Sequence, residues 1–243
     1  MVKREAGGVW LRPERPVREA PMTRERIVAE AVALLDAKGV AGLTMRRLAE
    51  RLGTGSTTLY WHVTTKDDVL DLALDAVFGE ARLPSADAGG WRAQARALMG
   101  EWRAAMLRHP WTSALLGRPL MGPNVLERTE YLHATLAGAG LTGPALTAAA
   151  YGLSHFVIGS AMMEAAWQSA GQSAGQSTGQ STERAGAADA AIAGHLRERA
   201  ERYPVLAGQG HPAATDWDAS FERGLGYLLD GIAAALPAPP DAR

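Results

Sequence analysis

Apolar residues recur along most of this chain at spacings of three and four, the period of an α-helix with one buried face. The first stripe is Ile27, Ala31, Leu34 and Leu35. It lies in a segment that opens on the capping residue Thr23, carries Glu25 where the helix dipole favours an anion, and closes at Lys38-Gly39. A second helix begins at Thr44 with Leu48, Ala49 and Leu52 on one face, and Gly53 supplies the left-handed residue that ends it. After the short Gly53-Thr54-Gly55 turn, Ser56 is read as the cap of a third helix whose buried pair is Leu59 and Val63. Thr65 and Asp68 are spaced as a capping box with Asp in place of Glu, and open a helix running through Val69, Leu72, Ala73, Ala76 and Val77 to about Ala81.

Past Leu83-Pro84-Ser85 and Gly89-Gly90 the elements lengthen. Trp91 to Leu107 carries Ala95, Leu98, Met99, Trp102 and Met106 at helical spacing, and His109-Pro110-Trp111 breaks it. Leu120 to Pro123 is a further break, and Asn124 to Ala139 a helix with Val125, Leu132 and Leu136 inside. Ala145 to Trp167 is apolar on nearly all faces, so its own chain or a second copy must cover it all round. Gln168 to Thr182 is a four-residue repeat of Gln, Ser, Gly and small residues, which cannot bury a core, and 168–186 is predicted as a flexible loop. Ala187 to Tyr203 is predicted as a helix, Pro204 to Pro212 as a loop, and Trp217 to Leu236 as the last helix. Residues 1–21, with Pro13, Pro16 and Pro21 among Arg12, Arg15 and Arg18, predict a disordered basic extension able to lie along DNA, and 238–243 a disordered tail. The fold class is therefore all-α: a three-helix unit over 22–68, joined by a connecting helix to a larger helical domain over 69–237.

The short third helix departs from ordinary surface chemistry. Its exposed side holds Thr57, Thr58, Tyr60, Trp61 and His62, where a solvated helix carries Glu and Lys. A helix, a tight turn and a second helix of this polarity form a helix-turn-helix suited to a DNA major groove. Lys66, at the next helix N-terminus, adds its charge to backbone amides that can hold a phosphate.

At these residues the chain resembles a known family. TLYWHV, preceded by LTMRRLAERLG and followed by K-x-x-V-L-D, is similar to the helix-turn-helix of TetR-family transcriptional regulators, and of the tetracycline-repressor subgroup in particular. The resemblance assigns DNA contacts to Thr44 and Arg46 at the start of the second helix and to Ser56, Thr57, Thr58, Tyr60, Trp61 and His62 on the recognition helix. Arg can take guanine in bidentate fashion and Thr a base edge or a thymine methyl, while Tyr60 and His62 suit phosphate; Trp61 serves either packing or contact. Ser56-Thr57 stands where the tetracycline repressor has Gln-Pro, so its operator does not carry over. The resemblance also makes the connecting helix the lever that transmits ligand binding, and FERGLGYLLDGI resembles the subgroup's terminal motif. Where that repressor holds drug and magnesium through two His, this chain carries Arg82 and Leu115, which speaks against a magnesium-tetracycline ligand.

Charge agrees with a DNA-binding head once it is divided. The net charge is −1, but residues 1–66 hold 12 Lys and Arg against 7 Asp and Glu, and the remainder 13 against 19. There is no Cys, hence neither disulfide nor thiolate chemistry. The N-terminus has charges where a signal peptide needs an apolar run, and no stretch of about twenty apolar residues is evident, so a cytoplasmic protein with no membrane partner is expected. No HExxH, phosphate loop or nucleophile elbow is present, and no enzyme activity, cofactor or metal is expected. Candidates for an apolar effector pocket with a few polar anchors are Trp102, His109, Trp111, His133, Tyr151, His155, Met162, Met163 and Trp167.

Together these features predict a homodimer that represses from a palindromic double-stranded operator and is released by a small amphipathic organic effector. An activator or protein-controlled regulator would share the same head. A helical enzyme or carrier of hydrophobic compounds would lack salt-dependent DNA affinity.

Overall fold

The computed structural model describes residues 22–85, 87, 89–175, 190–209 and 216–237, which form helices and connecting turns with no strand among them. The expectations for 1–21 and 238–243 lie outside the described residues.

The head consists of α1 (Arg24–Gly42), α2 (Met45–Arg51) and α3 (Ser56–Leu59). Thr23 caps α1 by accepting the Arg26 N–H at 3.2 Å, and Gly39 interrupts the helix with a left-handed φ of 64° where the sequence predicts its end. Ile27, Ala31, Leu34 and Leu35 meet Leu48, Leu52, Leu59 and Val63 in one core. The connecting helix α4 (Lys66–Gly79) begins with the predicted capping box. Thr65 accepts the Asp68 N–H, and the Asp68 carboxylate accepts the N–H groups of Thr64 and Thr65, each at 2.9 Å.

The body comprises α5 (Trp91–Arg108), a 3₁₀ turn (Pro110–Leu115), α6 (Pro123–Gly138), α7 (Gly143–Gly175), a helical stretch α8 at 190–197, α9 (Pro204–Gln209) and α10 (Trp217–Ala234). Three boundaries differ from prediction. Helix α7 runs to Gly175, into the repeat predicted as loop, because adding a residue to an existing helix is far easier than nucleating one and Ala and Gln favour it; residues 176–186 of that loop lie outside the described residues. The segment after Pro204 is helical, with Pro at the first position, where its missing N–H costs nothing. The described part of the preceding helix ends at 197, and turns follow.

Helix α7 turns its smaller residues inward. Ala150, Leu153, Val157, Ala161 and Ala165 are buried, while Tyr151, Met162, Met163 and Trp167 are exposed. The stretch Gly143–Ser169 is long and apolar enough to cross a membrane by length and composition, correcting the expectation that no such stretch exists; its many Ala, Gly and Ser residues hide it from inspection. One charge interrupts its inner face. Glu164 pairs at 2.5 Å with Arg103 of α5, which also reaches Asp218 of α10 at 2.6 Å and lies over the Phe221 ring. Arg103 thereby ties α5 to both α7 and α10.

Candidate nucleic-acid interface and effector site

The turn between α2 and α3 is a glycine-dependent helix stop. Gly53, at a φ of 67°, donates its N–H to the Glu50 carbonyl, and the Thr54 N–H reaches the Ala49 carbonyl at 3.0 Å. Thr44 caps α2 through the Arg47 N–H at 3.2 Å. The cap proposed for Ser56 is not formed: Gly55 occupies the cap position, no side chain caps α3, and Ser56 is its first helical residue. The extended backbone of Gly55 carries the chain into the helix one residue earlier than the serine rule implies.

The third helix is shorter than predicted: α3 ends at Leu59, Tyr60, Trp61 and His62 follow in a turn, and Leu59 and Val63 anchor the segment in the head core. That anchorage turns the opposite side outward, where Thr57 and Thr58 are exposed, Tyr60 is 51% exposed and Trp61 84% exposed, with His62 half-buried. Among the described residues Trp61 has no packing partner extensive enough to cover it. Arg46 lies in the first turn of α2, its side chain 86% exposed and, among the described residues, paired with Glu50 one turn on. A surface pair of this kind contributes about 0.3–0.5 kcal/mol and yields readily to a stronger partner. Lys66 is half-buried, and its Nζ donates to the Val40 carbonyl at 3.1 Å, which leaves two of its three ammonium protons for phosphate. The Thr64 and Thr65 amides ahead of it are taken by Asp68, so a phosphate there would meet fewer backbone donors than the sequence suggests. Those hydrogen bonds, first the Thr65 side chain's, hold the Asp68 carboxyl below its usual range.

The connecting helix is gripped along its length by the body. Arg118 bonds Asp71 at 2.7 Å and Asp67 at 3.0 Å, and these carboxylates raise the affinity of the guanidinium for its proton. Asp75, buried, accepts the Val125 N–H and the Asn124 amide at the start of α6; Gly122 permits this approach, since a Cβ there would overlap the Asp75 carboxylate. Arg128, also buried, donates to the carbonyls of Gly79 and Ala81 at 2.7 Å each, satisfying groups that the end of α4 leaves open. The sequence pattern names Val125 as core but assigns no role to Arg118, Asp75 or Arg128. Arg128 does carry a signal: it falls between Val125 and Leu132 on the apolar stripe of α6, where a charge is out of place.

The nine effector-site candidates do not converge. Trp102 is buried, edge-on to Phe78 with centroids 5.9 Å apart, and among the described residues its Nε1 and the buried Tyr131 hydroxyl find no hydrogen-bond partner. His109 and Trp111 are buried where the head meets the body, bound to acidic groups. His133 is half-buried and bonds the Thr129 carbonyl of its own helix. Tyr151 and His155 stack on the exposed face of α7, which also carries Met162, Met163 and Trp167. Sequence pattern could not separate these faces because α7 is apolar all round. Arg82 is exposed and pairs with Glu101, whose carboxyl it holds below its usual range, while Leu115 is buried. Among the described residues no three His, Asp or Glu cluster to hold a metal ion. A cleft of about 510 Å³ between α5 and α10 is lined by Arg82, Leu83, Arg96, Glu101 and Glu222.

Comparison with known proteins agrees with this architecture. Residues 27–73 match the family described as bacterial regulatory proteins, tetR family, and residues 83–236 match the tetracyclin repressor-like C-terminal domain. An HTH-type transcriptional regulator of Saccharopolyspora erythraea is 47% identical over 230 residues, spanning 94% of this chain and 92% of that protein. The HTH-type transcriptional repressor DrrR1 of Streptomyces coeruleorubidus is 33% identical over 92% of this chain and 83% of its own length. The crystal structure of the Streptomyces coelicolor TetR family protein ActR in complex with actinorhodin is 31% identical and superposes with a TM-score of 0.75 over 90% of this chain and 100% of that one. The head with its outward recognition helix, the gripped connecting helix and the helical body match over nearly the whole sequence, and the chain belongs to the TetR family of transcriptional regulators.

Proposed function

We propose that the protein is a homodimeric repressor in the cytoplasm that occupies a palindromic operator and leaves it when a small amphipathic organic molecule binds the body. The observation that carries the DNA reading is Trp61, 84% exposed beside Tyr60 in the turn that follows α3, with Thr57 and Thr58 exposed on α3 itself and Leu59 and Val63 anchoring the segment from the other side. Thr57 and Thr58 suit base edges, Arg46 guanine, and Tyr60, His62 and Lys66 the phosphates; Trp61 offers its N–H and its apolar face. Thr44 and Ser56 contribute at the two helix starts.

Only 22% of the apolar window in α7 is buried, and Tyr227 of α10 is exposed on a neighbouring helix. A second copy covering α7 and α10 as a four-helix bundle would remove this surface from water. Dimerisation also sets two recognition helices roughly 34–36 Å apart, the distance between successive major-groove faces. The Trp102 Nε1 and Tyr131 hydroxyl, buried and without a partner among the described residues, support effector binding, because a buried polar group left unbonded is costly and a ligand supplies the missing bond. That the related ActR was solved with actinorhodin supports an organic effector of this kind. Effector binding that shifts α4 relative to α6 alters the head spacing, and coupling free energies of about 1–3 kcal/mol weaken operator affinity about 5- to 150-fold.

The dimer is tested with Met163→Glu and Tyr227→Glu. Sedimentation should show monomers, and specific operator binding should fall with the loss of the second head. Variants that remain dimeric and bind as before would place the interface elsewhere.

A further inference from the structure

The corner between α5 and the 3₁₀ turn joins two separate parts of the DNA-binding apparatus. His109 is 8% exposed there, and both of its ring nitrogens face carboxylates: Nδ1 lies 2.7 Å from Asp36 Oδ1 of α1, and Nε2 lies 3.0 Å from Glu80 Oε1 at the end of α4. Trp111 donates its Nε1 to the same Asp36 oxygen at 2.7 Å, and Arg108 donates to Glu80 at 2.8 Å. The corner itself is fixed, since the His109 carbonyl accepts both the N–H and the hydroxyl of Thr112. Carboxylates only accept hydrogen bonds, so the ring makes both bonds when both nitrogens carry protons.

We propose that Asp36, His109 and Trp111 form a polar clasp that sets the angle of the DNA-binding head on the body, with His109 as its positioning residue. The body grips α4 through Arg118, Asp75 and Arg128, whereas His109 and Trp111 bond Asp36 of α1 itself, and an apolar surface slides more readily than such a polar joint turns. The clasp touches α1 directly, so it orients the head by a second route beside α4. One imidazole holds α1 and the end of α4 at once, and a displacement of either is felt by the other. Within the proposed dimer this angle determines the separation of the recognition helices. The proposal rests on the regulatory reading only for that consequence, since the geometry of the joint can be measured without DNA.

The chain has no Cys, so labels attach only where cysteines are introduced. Ala33 of α1, in the head, and Ala134 of α6, in the body, are both exposed. Spin labels on Ala33→Cys and Ala134→Cys of the full chain, diluted with unlabelled subunits, report the head–body distance by pulsed electron resonance. The parent should give one narrow distribution, and both Asp36→Ala and His109→Gln should lose it to a broad one. Asp36 is exposed, so its replacement opens no cavity and reads out even where His109→Gln fails to fold. A narrow, unshifted distribution in Asp36→Ala would overturn the clasp, whatever the outcome of any DNA-binding test.

Discussion

Replacing Arg128 by Met should loosen the connecting helix from the body while keeping an apolar chain of similar length in the stripe of α6. The guanidinium donates to the Ala81 and Gly79 carbonyls at 2.7 Å and to its own-helix Asn124 carbonyl at 3.1 Å. Each buried acceptor stripped of its donor costs about 1–3 kcal/mol. Ala81 is fully buried and pays that in full, whereas Gly79 is half-buried and admits water. Release of the guanidinium from its own burial offsets part of the loss, and the nearby Glu127 pair is solvent-facing and contributes little. The net loss is about 2–4 kcal/mol, a fall in Tm of about 4–16 °C for a chain of this size. Urea and thermal unfolding at one fixed protomer concentration measure it, because association contributes to apparent stability. Arg128→Lys should fall between the two, since one ammonium cannot span both carbonyls as a planar fork does. A loss under about 1 kcal/mol for Met would refute the reasoning and leave the end of α4 held by the packing of Phe78 and Ala81 and by the Glu80 pairs with Arg108 and His109.

Three further outcomes separate roles within the head and along α4. Thr44→Ala should cost about 1 kcal/mol of stability as a lost cap, while Ser56→Ala should change it by less than about 0.5 kcal/mol, as measured by urea unfolding. Arg46→Ala should weaken operator binding by about 1–3 kcal/mol and relax base preference at one position, whereas Lys66→Ala should weaken binding to every sequence and reduce the salt slope by about one, both read by anisotropy titration. Asp68 has its folded carboxyl pKa lowered by the Thr65 hydrogen bonds, so it stabilises the fold above the ordinary carboxylate range and loses that contribution as pH falls through the folded value. Asp68→Asn should therefore lower stability at neutral pH and flatten the acid limb of a stability–pH profile.

The head was legible because its signals are local. Thr23, Thr44 and Thr65 cap within three residues of themselves, and Gly53 stops α2 through bonds to its own last turn. Leu59 and Val63 fix which way α3 faces, so its outward residues followed directly. Ser56 misled because serine is a favoured cap, yet extended Gly55 was free to take the position. The body was less legible where the decisive partners lie far apart in sequence. Arg128 meets Gly79 across 49 positions, and His109 meets Asp36 across 73. No periodicity encodes such a pairing. Helix α7 gave the opposite difficulty: apolar on every face, it offered no pattern to tell Leu153, which is buried, from Tyr151 and Met163, which are not. The effector candidates were scattered for that reason, and the only buried aromatic among them outside the head–body joint is Trp102.

The account stands most directly on one binding experiment. The purified protein is titrated against labelled duplex DNA from upstream of its own gene, by fluorescence anisotropy at several salt concentrations and against a scrambled competitor. Tight binding that survives the competitor, saturates at two protomers per site, falls steeply with salt and weakens in Trp61→Ala is the predicted result. Absence of any DNA binding even at low salt would contradict the assignment of residues 43–66 as the reading head.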